Sequence, residues 1–137
     1  MARFAFEIDA AYRGDLEGIL SFSTFEEAEK TLKSLQNLCL KYQSLSDKKG
    51  MDYCRQIASL GRKRAELIGR NRRVSLPIRL QKQEMANWFK IWLETPAIFD
   101  DWLAMRKNTK EFRELLESES THSSKPGDSY AAGSKGL

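Results

Sequence analysis

From Ser23 to Glu94 the apolar residues return every third or fourth position, and this helical periodicity limits the possible folds more than any other feature of the 137-residue chain. In the first run Ala28, Leu32, Leu35, Leu38, Cys39, Tyr42 and Leu45 fall within about 140° of a helical wheel. Ser23 followed by Glu26 has the spacing of a capping box that opens the helix, and Asp47-Lys48-Lys49-Gly50 closes it near Ser46. A second run, Met51 to Arg73, carries Cys54, Ile57, Ala58, Leu60, Ala65, Leu67 and Ile68 on one side. Gly61 shares that side and permits a close helix crossing, while Arg64 lies inside the apolar arc and calls for a carboxylate or a ligand groove. After a break at Val74-Ser75-Leu76-Pro77, a third helix is predicted from Ile78 to Glu94, burying Met85, Trp88, Phe89, Trp92 and Leu93.

The flanks read less simply. Thr95-Pro96 opens a fourth helix, and the heptad spacing of Ile98, Trp102, Met105, Phe112 and Leu116 predicts that it continues to Ser118, although Asn108 and Glu111 have the spacing of an internal cap. At the N-terminus Phe4, Phe6 and Ile8 alternate with polar or small residues, and Leu16 to Phe22 forms a second short run. With Arg13-Gly14-Asp15 between them as turn chemistry, a β-hairpin is predicted. The expected fold is α+β and mostly helical: an N-terminal β-hairpin followed by about four helices in a small bundle. One globular domain should span residues 1–119, with a disordered tail over 120–137, where Ser, Gly, Lys and Pro leave little to bury.

Composition narrows the chemistry. No apolar run is long enough to span a membrane, and the acids in MARFAFEIDA do not suit a signal peptide, so a cytoplasmic protein without membrane attachment is expected. Cys39 and Cys54 lie on apolar helical faces without CxxC spacing and read as buried, reduced thiols. The single histidine, His122, sits in a Ser/Thr-rich stretch, so Ser-His and Cys-His catalysis and His/Cys zinc sites are not expected. Asp100-Asp101 are neighbours that diverge by a helical step and serve a helix N-terminus rather than a shared proton. No nucleotide-binding or metalloprotease motif is present, and neither an enzyme nor a cofactor nor a small-molecule substrate is expected.

The charge is unevenly placed. The chain carries +4 overall, but residues 62–82 hold eight basic groups against the single acid Glu66. Arg62, Lys63, Arg70 and Arg73 cluster on the polar side of the second helix, Arg72 stands beside them, and Arg79 and Lys82 extend the track across the break. Such a cluster points to an anionic partner, a nucleic acid or an acidic protein surface. Four to six phosphate contacts predict a log–log salt slope of roughly −4 to −5 on duplex DNA. The opposing view is a solvated face, since Glu66 stands four residues from both Arg62 and Arg70.

Trp88, Phe89, Trp92, Phe99, Trp102 and Phe112 fit helical packing and read first as core. Trp88 and Trp92 are the rings to watch as a stacking or partner surface, because the third helix has a broader apolar arc than one contact requires. The expected function is a small non-enzymatic protein that contacts nucleic acid through phosphates with little sequence specificity. The alternative is a protein–protein adaptor or small subunit of a larger assembly, including a homo-oligomer, using the aromatic-rich helices and the basic face.

Overall fold

Six α-helices and one short 3-10 turn account for the architecture of the computed structural model, which describes residues 8–122, with side chains through Ser120. Helices α3 (Lys48–Arg70) and α4 (Leu76–Glu94) make the most extensive contact, and α2 (Phe25–Ser44) packs against both. Their crossing depends on Gly61. A Cβ there would stand 2.8 Å from the Phe89 ring and 2.9 Å from Leu20 Cδ1, so only hydrogen fits. On α4 Met85, Trp88, Phe89 and Trp92 are all buried, and so are Gln81, Lys82 and Glu84. This helix is enclosed because α5 (Phe99–Lys107) and α6 (Lys110–His122) cover the flank that α2 and α3 leave open.

The predicted hairpin is overturned. The described residues contain no strand and are all-α rather than α+β; Phe4 and Phe6 of the first expected strand lie outside them. Arg13-Gly14-Asp15 is not a turn but part of a helix, α1 (Ala10–Leu16). It stops before Gly18, whose φ of 82° suits a residue without a side chain. Residues 19–22 have no regular secondary structure, and no strand among the described residues pairs with them. Thr31 of α2 serves instead: its Oγ1 accepts from Ser21 N at 3.1 Å and lies 2.8 Å from Ser21 O and 3.1 Å from Ile19 O. Period-two alternation marks an extended segment with one buried side. It does not say whether strands or side chains will satisfy its backbone.

A tyrosine–carboxylate cluster anchors α1. Tyr12 donates to Asp47 at 2.8 Å, Tyr42 donates to Asp15 at 3.0 Å, and Tyr53 Oη accepts from Asp9 N at 3.2 Å. The rings of Tyr42 and Tyr53 meet Tyr12 edge-on, at 5.6 and 5.1 Å between centroids. Lys41 pairs with Asp15, and Lys49 with Asp9.

Several helix ends also move. Thr24, not Ser23, caps α2, accepting from Glu27 N at 3.1 Å. Asp47, read as the end of the first helix, caps the next by accepting from Gly50 N at 3.0 Å. The expected continuous fourth helix is divided into a 3-10 turn (Pro96–Ile98), α5 and α6. Thr109 makes the division: its Oγ1 accepts from Phe112 N at 3.2 Å and donates to Arg106 O at 2.7 Å. The heptad stripe therefore never forms, and Ile98, Met105 and Leu116 are exposed while Phe99, Leu103 and Phe112 fill the core. Helix α6 runs to His122, past the domain end expected at residue 119; residues 123–137, most of the expected tail, lie outside the described residues.

Candidate nucleic-acid interface

Helix direction sorts the central cations. Lys63 and Arg70 stand on the outer side of α3, seven residues and so roughly 10.5 Å apart along its axis, and both are exposed. The helix ends at Arg70, and Asn71 Oδ1 accepts from Arg73 N at 3.0 Å to shape the turn that follows. Arg72 and Arg73 are exposed on that turn. Among the described residues Lys63, Arg70, Arg72 and Arg73 form no ion pair. Arg62 differs: its Nε donates to Glu66 Oε2 at 3.1 Å, a surface pair of the i,i+4 kind.

A groove of about 350 Å³ separates this part of α3 from α4. Arg62, Arg70 and Lys90 supply its cations, Glu66 its one acid, and Gln83 and Asn87 its amides. Gln83 is fixed there, donating to Gly69 O at 2.7 Å, while Asn87 is exposed. Residues 83, 87 and 90 form a single polar stripe of α4. Their spacing was readable in the sequence, but charge density drew attention to residues 62–82 and away from Lys90.

The remaining predicted residues face elsewhere. Arg79 Nε donates to Val74 O at 3.0 Å, so this side chain folds back over the turn. Lys82 is buried, and its Nζ donates to the carbonyls of Phe22 and Ser23 at 2.8 and 3.0 Å. Burial pushes the Lys82 ammonium below its ordinary pKa. Its place on the binding track is therefore corrected: it fastens the segment before α2. Arg64 is half-buried rather than interior.

The two tryptophans are corrected as well. Trp88 is 0% exposed and Trp92 4%, so neither offers a face to a base. Trp88 Nε1 donates to Glu84 Oε2 at 2.8 Å, and Arg106 grips both oxygens of the same carboxylate at 2.7 Å. The broad apolar arc of α4 thus reflects several packing partners and not an exposed platform. Among the described residues no acidic, cysteine or histidine cluster is arranged to hold a metal, and no helix is long and apolar enough to cross a membrane. No family model, curated protein or solved structure matches the chain.

Proposed function

We propose that the outer end of α3 and the turn after it bind nucleic acid through phosphate oxygens, without reading the bases. One observation carries this reading: Lys63, Arg70, Arg72 and Arg73 are exposed together and hold no carboxylate among the described residues. Cations already paired would have to surrender a partner first, whereas these exchange only water and counterions. The neighbouring groove adds Lys90 and the amide of Asn87, groups that contact phosphates without sequence preference. Among the described residues no aromatic platform accompanies them, so affinity rests on charge and falls steeply with salt. A cytoplasmic setting fits this role.

Titration of fluorescently labelled duplexes of unrelated sequence tests the reading. Similar affinities and a log–log salt slope of about −4 are expected, roughly 0.9 per neutralised phosphate. Absence of binding at low salt, or a strong preference for one sequence, contradicts it.

The adaptor reading has a different surface from the one the sequence suggested. Trp88 and Trp92 are interior, but Leu76 and Leu80 are exposed along a groove of about 610 Å³ between α4 and α6 that Glu111 and Glu114 also line. An amphipathic segment with basic residues matches that chemistry. For a second copy of the chain in that role, light scattering after size exclusion must show a dimer; a monomer at high concentration excludes it.

A further inference from the structure

The α2–α3 hairpin turns through Leu45–Asp47 and is tightest at Gly50, where a Cβ would lie 2.5 Å from the Tyr42 ring. One turn back along α2 from Tyr42 is Cys39; one turn forward along α3 from Gly50 is Cys54. The hairpin register therefore sets the two cysteines opposite each other. They are not alike. Cys54 is 0% exposed, while Cys39 is half-buried and lines a cavity of about 460 Å³ with Met51, Arg55, Trp92 and Pro96. Their helical-wheel positions do not separate them, because both lie on apolar faces.

We propose that Cys39 is a peroxide-oxidation site and Cys54 its resolving thiol, the product being a disulfide between α2 and α3. The Cys39 thiolate attacks one oxygen of hydrogen peroxide, the O–O bond breaks and hydroxide leaves, forming a sulfenic acid on Cys39. The Cys54 sulfur then attacks the Cys39 sulfur. The S–O bond breaks, and the hydroxyl departs with the Cys54 proton as water. In sum, two thiols and one peroxide become one disulfide and two waters.

The roles follow from the surroundings. The hydrogen bond from Cys54 holds the Cys39 thiol below its ordinary pKa, and the Arg55 guanidinium adds to this against the cost of burial. The same hydrogen bond, together with burial, pushes the Cys54 thiol up, so Cys39 is the more readily ionised of the two. Peroxide reaches Cys39 through the cavity and cannot reach Cys54 directly.

The full-length protein is treated with hydrogen peroxide, alkylated without reduction and analysed by mass spectrometry. Loss of two hydrogens, loss of both alkylation sites, a crosslinked peptide joining Cys39 to Cys54, and reversal by dithiothreitol are expected. In Cys54→Ser, Cys39 should be trapped by dimedone as a sulfenic acid; in Cys39→Ser, Cys54 should stay reduced. Three results overturn the proposal: both thiols remain alkylatable at a dose that oxidises glutathione, Cys54 is oxidised equally in Cys39→Ser, or the disulfide joins two chains. Far-UV circular dichroism of each variant confirms that the comparison is between folded proteins.

Discussion

The two halves of the basic segment, residues 63–73 and residues 79–82, are neighbours in sequence and opposites in the fold. In the first, α3 runs along the outside and its last turn and the following loop point Lys63, Arg70, Arg72 and Arg73 into solvent. In the second, the chain has entered α4 at the centre of the bundle, so Arg79 bends onto the Val74 carbonyl and Lys82 is drawn inside to Phe22 and Ser23. Charge per stretch of sequence describes the chain; charge per face depends on where each helix lies. Lys63, Arg70, Arg72 and Arg73 hold no carboxylate among the described residues, whereas Arg79 and Lys82 are already bonded to backbone carbonyls.

The sharpest way to break this contrast is at the interior charges. Glu84→Ala removes the acceptor shared by Arg106 and Trp88, and a loss of about 3–5 kcal/mol in urea unfolding is expected, as for the breaking of a buried ion pair. An unchanged unfolding midpoint would show that this cluster is solvated. Next comes Lys82→Met, which keeps the stem but leaves two carbonyls unbonded. It should cost about 1–3 kcal/mol in the same measurement, with unchanged affinity for DNA.

The tryptophans sharpen the same point on a smaller scale. Trp88→Phe deprives a buried carboxylate of one donor and should lower stability by about 1–3 kcal/mol. Trp92 Nε1 is buried without a hydrogen-bond partner among the described residues, so Trp92→Phe should cost less than Trp88→Phe in thermal unfolding. The reverse order would mean that ring volume outweighs the bond to Glu84. Smallest of all, Arg70→Ala should leave stability within about 0.5 kcal/mol of the parent, because the side chain stands outside the packed core. A larger fall in its melting temperature would place Arg70 in the structural half of the segment.

How much of this was legible beforehand differed by element. The amphipathic runs of α2, α3 and α4 were plain because each repeats for several turns, and Gly61 stood out as a small residue on a packing face. The N-terminal region departs from the expected hairpin because Leu16 ends a helix and residues 19–22 are all half-buried, with the backbone of Ser21 bonded to Thr31 on another element. The fourth helix divides because Thr109 offers Phe112 N a direct hydrogen bond, whereas the heptad stripe has only spacing. In the candidate site, the outward cations of α3 were legible from the wheel. The inward turn of Lys82 was not, since it depends on Phe22 and Ser23, sixty residues earlier in the chain.

The most direct measurement is the salt dependence of duplex DNA binding for the parent, for Lys63→Ala/Arg70→Ala/Arg72→Ala/Arg73→Ala together, and for Arg79→Ala. If the outward half of the segment is the binding surface, the four-residue variant loses nearly all of the slope, about 0.9 per contact removed, while Arg79→Ala retains it. A four-residue variant that binds with the parent's slope would contradict the account.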